Sequence, residues 1–131
     1  MPTLIRLYDE TTTGDAIACG ELHLSSDRIT ARDLIRQRVQ QEVTAYNEDL
    51  PEYFRGLVQP TASEQLLNGY KMRQRQKINW LEQYQKAIQA FESNGFMILV
   101  DDRQVEDLDQ ELELTEQGRV SFLRLIPLVG G

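Results

Sequence analysis

A continuous apolar run, Phe96–Val100 (FMILV), constrains the fold more than any other segment of this chain. Asn94-Gly95 precedes it and Asp101-Asp102 follows it, and both dipeptides are typical of turns. An uninterrupted apolar run of this length between two turn signals is typical of a strand that other strands flank. We therefore expect a central strand of a sheet at this position.

The N-terminal third predicts a hairpin and then a helix. Residues 3–8 (TLIRLY) and Ala16–Leu24 are two apolar stretches with a cluster of turn residues between them, as in a β-hairpin. Thr30 is placed to cap a helix, with Asp33 at the third helical position as in a capping box. The apolar residues of this helix fall on one face, as expected of a helix lying against a sheet: Ala31, Leu34, Ile35, Val39 and Val43.

The middle of the chain, residues 47–95, is predicted to be a largely helical insertion. Residues 48–60 predict a loop, with a short helical turn around Tyr53 and Phe54. Thr61 and Glu64 form a second capping-box pattern. Because residues 63–93 lack proline and have one glycine, a long helix or two consecutive helices should follow. An apolar stripe is expected to pack in its later half, widened by Trp80 and Ala87: Ile78, Leu81, Tyr84, Ile88 and Phe91.

The C-terminal part predicts the remaining strands. Gln104 and Val105 suit a short return strand, and residues 120–126 suit a last strand rich in Val, Phe, Leu and Ile. Three leucines between them are predicted to make irregular core contacts: Leu108, Leu112 and Leu114. This order of elements places the chain in the α+β class. Residues 1–131 show no repeat or linker, so a single domain is expected.

Charge and composition argue against several classes of function. The formal net charge of -7 argues against a nucleic-acid partner, because a phosphate backbone requires clustered Lys and Arg. No apolar run reaches the roughly 18 residues of a membrane span. The N-terminus also lacks the pattern of a secretion signal, so we expect a cytoplasmic protein with no membrane partner. Cys19, the only cysteine, is predicted to be a small buried residue rather than a reactive thiol.

An enzymatic function is not expected from this sequence. His23, the only histidine, lies in a predicted strand and no nucleophile motif lies near it. Asp101-Asp102 are predicted to be solvated turn residues rather than a cation site. The sequence therefore predicts no catalytic residue, no metal site and no bound cofactor.

Two segments, together with the order of elements, carry a resemblance to a known family. Residues 97–107 (MILVDDRQVED) are similar to the strand, turn and short strand in the middle of ubiquitin, and the ending PLVGG is similar to the tail of a sulfur carrier. The chain thus resembles the ubiquitin-like β-grasp superfamily, which includes ubiquitin and the sulfur carriers of molybdopterin and thiamin synthesis. The resemblance implies a β-grasp mixed sheet with one core helix, to which residues 47–95 are added as an insertion.

The resemblance also implies that Gly130-Gly131 is the working end. Two residues without side chains let the backbone thread a narrow channel where any Cβ would collide. By resemblance, an E1-like activating enzyme would use ATP to convert the carboxylate of Gly131 to an acyl-adenylate. An E2-like cysteine enzyme or a sulfur-donor enzyme would then take the acyl group. Four flanking residues are expected to aid recognition of the tail: Leu125, Pro127, Leu128 and Val129.

Three interpretations of this tail stay open. A protein modifier would transfer Gly131 to an amine of a target protein, and a sulfur carrier would form a thiocarboxylate there. A non-covalent β-grasp interaction module would instead bind a partner through its insertion. The long insertion favours a modifier or a dedicated partner-binding role over a sulfur carrier. If copies of the modifier were joined into chains, the acceptor residues on this protein itself would be Lys71, Lys77 and Lys86. Solvated charges on a helix face are the simpler interpretation of these lysines.

Two charged segments are candidate contact surfaces. Residues 70–77 (YKMRQRQK) are locally basic and could meet an acidic partner, with a solvated helix face as the default interpretation. A second segment is acidic and could steer a basic activating enzyme toward the tail. Its members are Asp101, Asp102, Glu106, Asp107, Asp109, Glu111 and Glu113.

Overall fold

The structure is a computed structural model that describes residues 3–12, 14–66, 69–74 and 76–124. These residues form an α+β fold with a mixed sheet and two helices. The strands are β1 (Thr3–Thr11), β2 (Ala16–Leu24), β3 (Arg28–Thr30), β4 (Tyr53–Phe54), β5 (Ser63–Leu66), β6 (Gly69–Met72), β7 (Phe96–Val100), β8 (Arg103–Val105), β9 (Glu111–Glu113) and β10 (Val120–Arg124). The helices are α1 (Ala31–Asp49) and α2 (Trp80–Glu92). The chain divides into two compact units, residues 1–34 with 91–131 and residues 35–90.

The first unit is built on a five-stranded sheet with the strand order β2-β1-β10-β7-β8. Strands β1 and β2 form an antiparallel hairpin, β1 and β10 are parallel, and β7 is antiparallel to both of its neighbours. The predicted N-terminal hairpin and the predicted return strand at Gln104 and Val105 are confirmed. The apolar run Phe96–Val100 is β7, and other strands flank it as predicted.

One face of this sheet is apolar and buried. Its buried side chains are Ile5, Leu7, Leu22, Leu24, Phe96, Ile98, Val105, Val120 and Phe122. Each large one contributes about 1.5–3 kcal/mol by leaving water. On the opposite face, Met97 and Leu99 of β7 are only half-buried. Alternate residues of the apolar run therefore differ: Phe96 and Ile98 are buried in the core, whereas Met97 and Leu99 on the other face of the sheet are not fully covered.

A small second sheet extends the first unit. Strands β3 and β9 pair antiparallel, with Ile29 opposite Leu112. Backbone bonds continue this contact, since Leu114 N–H donates to the carbonyl of Asp27 at 2.7 Å and Arg32 N–H donates to that of Leu108 at 2.8 Å. The three leucines at 108, 112 and 114 are buried, which confirms their predicted place in the core.

Helix α1 begins where the sequence predicts. The backbone N–H of Asp33 donates to Oγ1 of Thr30 at 3.1 Å, so Thr30 is the N-cap. All five predicted apolar positions of this helix are buried. At its C-terminal end Leu50 has a φ of 46° and its N–H donates to the carbonyl of Tyr46 at 2.7 Å, after which Pro51 prevents continuation.

The second unit is less helical than predicted, because part of the insertion forms a small sheet. Ser63–Leu66 and Gly69–Met72 form two strands of a three-stranded sheet with the order β4-β6-β5, and Tyr53 and Phe54 form a strand rather than a helical turn. Thr61 does not cap a helix, because Ala62 has a φ of 58° and cannot begin one. Side-chain packing outweighs local propensity here, since Tyr70 stacks on Phe54 with ring centroids 6.5 Å apart and both rings are buried.

Helix α2 begins later than predicted. Asn79 is its N-cap, with Oδ1 accepting from the N–H groups of Leu81 at 2.9 Å and Glu82 at 3.2 Å. Asn94, with a φ of 63°, lies beyond its C-terminal end, as the predicted stop at Asn94-Gly95 requires. The predicted packing of Leu81 is wrong, because 47% of this residue is exposed.

The buried face of α2 overlaps the predicted stripe only in part. Gln83 and Ala87 are buried, whereas three stripe residues, Tyr84, Ile88 and Phe91, are half-buried. Gln83 is buried because its amide Nε2 donates to the carbonyl of Val58 at 3.2 Å. A glutamine on a buried face is invisible to an apolar pattern.

Cys19 corrects a further prediction, because it is exposed rather than buried. It lies in β2 at the edge of the sheet, where the pairing with β1 passes from Tyr8 opposite Ala18 to Leu7 opposite Gly20. Cys19 is therefore the extra residue of a β-bulge, a position at which the regular pairing of the two strands is interrupted.

Candidate functional site

The strand β10 is the part of the candidate site that the structure describes. All six predicted tail residues lie outside the described residues: Leu125, Pro127, Leu128, Val129, Gly130 and Gly131. Residues 125–131 follow directly on Arg124, the last residue of β10. The geometry of β10 therefore fixes where the tail begins.

Strand β10 is held on both sides at the middle of the five-stranded sheet. Five of its residues pair in parallel or antiparallel register with β1 and with β7. Phe122 is fully buried and its ring lies 6.1 Å from that of Phe96. Backbone pairing on both sides and core packing therefore both hold this strand in place.

A polar cluster, formed by Tyr8, Glu10, Arg119 and Ser121, secures the beginning of β10. Nη2 of Arg119 donates to Oε1 of Glu10 at 2.6 Å, and Nε of Arg119 donates to Oγ of Ser121 at 3.2 Å. The same guanidinium lies 4.6 Å from the centre of the Tyr8 ring, a cation–π distance. Sequence reasoning missed this cluster, because its members are neighbours only through the parallel register of β1 and β10.

The far end of β10 carries a second ion pair. Nη2 of Arg124 lies 3.6 Å from Oδ2 of Asp9, and the pairing register places Arg124 between Thr11 and Phe96. The tail therefore begins at the end of the sheet where β1 ends and β7 begins. Asp9 carries a negative charge at this end.

The acidic turn Asp101-Asp102 lies at the opposite end of the sheet. Asp101 follows Val100, which pairs with Val120 at the start of β10. Four residue steps along a strand separate Val120 from Arg124, a distance of about 13 Å at 3.3 Å per residue. Asp101 and Asp102 therefore lie well away from the start of the tail, and the steering of a basic activating enzyme by the acidic segment stays a prediction.

The sheet face opposite the buried one carries a second set of apolar residues. The register aligns Leu99 with Ser121 and Met97 with Leu123 across β7 and β10. Met97, Leu99 and Leu123 are half-buried, whereas Ser121 is buried beside Arg119. An apolar run gives no sign of which of its residues face outward, so the sequence did not predict this face.

The three predicted acceptor lysines lie on different parts of the second unit. Lys71 is in β6, 3.8 Å from Oε1 of Glu52, and Lys77 is exposed ahead of α2. Lys86 is half-buried on α2, where Nζ donates to Oγ1 of Thr61 at 2.8 Å. The predicted helix face that would carry Lys71 and Lys77 does not exist, because Lys71 is in a strand.

Neither a metal cluster nor a spanning helix occurs in the part of the chain that the structure describes. No three His, Cys, Asp or Glu residues there are grouped as metal ligands would be. No helix among those residues has the length and apolarity needed to cross a membrane. His23 is exposed on β2, opposite Leu4 of β1.

Comparison with known proteins identifies no relative. No protein-family model matches this sequence, and no curated protein or solved structure matches the chain.

Proposed function

We propose that this protein is a ubiquitin-like modifier with a β-grasp fold. An E1-like enzyme would activate the carboxylate of Gly131 with ATP in the cytoplasm, and the acyl group would pass, directly or through an E2-like enzyme, to an amine of a target protein. The catalytic groups and the ATP site would belong to those partners. This chain would supply the folded domain and the reacting carboxylate.

The strand order of the first unit carries this proposal. An N-terminal hairpin precedes a helix, and the last strand lies beside the first in parallel, giving the order β2-β1-β10-β7-β8. A β-grasp sheet is built in this way, with its last strand at the centre. Residues 97–107, one of the two segments that carry the resemblance, include most of the β7–β8 hairpin, and β7 lies beside β10, the strand that leads to the tail.

The placement of β10 supports a threaded tail. The strand is fixed by Arg119 at one end and by pairing with β1 and β7 along its length. Gly130 and Gly131 follow it within seven residues, and the absence of a Cβ at both lets the backbone enter a narrow channel. A folded domain whose sequence ends in two residues without side chains suits an enzyme that adenylates a carboxylate inside a narrow channel.

The decisive experiment looks for the tail on other proteins. The chain, tagged at its N-terminus, is recovered from its native cells under denaturing conditions and digested with trypsin. Cleavage after Arg124 would leave the seven residues LIPLVGG attached to the side chain of a modified lysine. Mass spectrometry should find this remnant on target proteins, and a variant lacking Gly131 should give none.

The same spectra separate the modifier from its two alternatives. An oxygen-to-sulfur exchange at Gly131 would identify a sulfur carrier instead. A free carboxylate in every sample, even when ATP and candidate activating enzymes are added, would refute covalent action. The second unit favours a non-covalent interaction module in that case, because it exposes four large side chains: Tyr53, Leu66, Trp80 and Leu81.

A further inference from the structure

The two edges of the five-stranded sheet differ in how they are protected. At one edge, β8 is three residues long, begins with the charged Arg103 and ends before an acidic segment. At the other edge, β2 is nine residues long, and among the described residues it pairs only with β1. Short, charged edge strands resist pairing with other chains, whereas long uncharged ones invite it.

The first half of β2 lacks the usual protection. Ala16, Ile17 and Ala18 carry no charge, all three are exposed, and no proline lies in the strand. Ile17 is 54% exposed, the highest value among the large hydrophobic residues that the structure describes. An isoleucine on an unprotected edge has a β-branched side chain suited to cross-strand packing.

The β-bulge limits which part of this edge can pair. Cys19 is the extra residue, and a bulge increases the local twist and disrupts regular pairing beyond it. The regular stretch before the bulge is centred on Ile17. A partner strand therefore has to fit against residues 15–19 rather than along the whole of β2.

We propose that this edge pairs with β2 of a second copy, in an antiparallel arrangement with the two-fold axis at Ile17. That register places Ile17 opposite Ile17 and Ala16 opposite Ala18 of the second copy, so apolar residues meet and no like charges face each other. A register centred on Ala18 would instead place Asp15 opposite Glu21, two carboxylates. The first register avoids this pair of carboxylates and brings the three uncharged residues of the edge, Ala16, Ile17 and Ala18, together.

The resulting dimer is weak. Five residues of edge pairing bury much less than the roughly 1,200 Å² of a stable interface, and two chains of net charge -7 repel each other. Association should therefore require high protein concentration and should strengthen as salt screens the repulsion. A contact made by attraction between opposite charges would weaken with salt.

Disulfide cross-linking tests the register directly. The full-length variant Ile17→Cys, with Cys19→Ser to remove the native thiol, places two thiols at the two-fold axis. Opposite residues of an antiparallel pair have Cα atoms about 4.5–5.5 Å apart, within the disulfide range of about 4.4–6.8 Å. The control Glu21→Cys with Cys19→Ser is also exposed, but its thiols would lie about 26 Å apart, eight residue steps.

A mild added oxidant should cross-link the Ile17→Cys protein at least about tenfold faster than the control. In sedimentation equilibrium, the wild type should dimerise at high concentration, and Ile17→Lys should raise the dissociation constant about tenfold or more while leaving the circular dichroism unchanged. Equal cross-linking of the two cysteine variants, or a dimer that persists with Ile17→Lys, would overturn the proposal. So would a wild type that stays monomeric at every concentration and salt.

Discussion

The carboxylate of Asp101 accepts a hydrogen bond from the backbone N–H of Arg119 at 2.8 Å, while the backbone N–H of Asp101 donates to the carbonyl of Arg119 at 2.9 Å. These two bonds join the turn after β7 to the residue before β10. The chain is thereby held in place at Arg119, one residue ahead of the first paired residue of β10.

Asp101→Ala should lower the free energy of unfolding by about 1–3 kcal/mol, because it removes the acceptor of Arg119 and places alanine at a φ of 50°. Asp101→Asn keeps an acceptor oxygen and tolerates this φ, so its loss should be less than half as large. Urea unfolding measures both values. Equal losses would mean that the negative charge of the carboxylate, which both variants lack, accounts for the effect, and not the acceptor oxygen or the tolerance of positive φ.

Replacing the neighbouring residue, Asp102, should be able to raise the free energy of unfolding. Its φ of 69° follows the 50° of Asp101, so the turn is of type I′, in which the second central position prefers glycine. Asp102→Gly should raise the free energy of unfolding by about 0.5–1 kcal/mol by removing the strain of a Cβ there. Asp102→Val should lower it, since a β-branched residue avoids positive φ. Thermal unfolding of the two variants should shift the midpoint in opposite directions.

Gly56→Ala should destabilise the second unit. A Cβ at this position would lie 2.1 Å from Cε2 of Phe54 and 2.6 Å from Oε2 of Glu42, so both the ring and the carboxylate have to move. Phe54 packs edge-on against Tyr46 with ring centroids 5.4 Å apart, and overpacking such a site costs about 1–3 kcal/mol. In a Phe54→Leu background the same change should cost less. An equal loss in both backgrounds would show that the ring is not the obstacle.

The sequence predicted those elements whose signals are local. Thr30 caps α1 because a hydroxyl three residues before an N–H can reach it, and a capping box encodes that relationship within four residues. Short stretches of sequence likewise predict the first hairpin, the central strand and the end of α2 near Asn94. Such signals need no knowledge of distant partners.

The remaining features depend on partners that are distant in sequence. Arg119 and Glu10 are 109 positions apart and meet only because β1 and β10 are parallel. Strand β6 forms because Tyr70 stacks on Phe54, although residues 63–72 carry no strand alternation. For the candidate site, the sequence predicted the strand that precedes the tail. The predicted roles of Gly130 and Gly131 remain predictions, since both lie outside the described residues.

The two competing caps of the insertion can be compared by mutation. Asn79 accepts from two backbone N–H groups at the start of α2, so Asn79→Ala should lower the free energy of unfolding by about 1 kcal/mol. Thr61, the cap that the sequence predicts, is itself exposed and bonds to the side chains of Glu82 and Lys86. Thr61→Ala should therefore cost no more than about 0.5 kcal/mol. Urea unfolding that ranks the two in the reverse order would contradict the position of this helix start.

The buried ion pair of α1 should be the most sensitive polar contact in the second unit. Arg38 is only 2% exposed, and its Nε donates to Oε1 of Glu42, whose Oε2 accepts from the N–H of Leu57 at 3.0 Å. Glu42→Ala leaves a buried guanidinium without this carboxylate and should cost about 3 kcal/mol. Glu42→Gln keeps the shape and an acceptor oxygen, so an intermediate loss is expected.

The exposed pair of Arg6 and Glu21 is the matched control for Glu42. Its atoms lie 3.7 Å apart and more than half of each side chain is exposed, so Glu21→Gln should cost less than about 1 kcal/mol. Added salt should shrink the Glu21 effect and leave the Glu42 effect nearly unchanged, because ions screen exposed charges much more than buried ones. A loss at Glu42 as small and as salt-sensitive as that at Glu21 would mean that Arg38 reaches water when its partner is removed. The pair would then be a surface contact in energetic terms despite its burial.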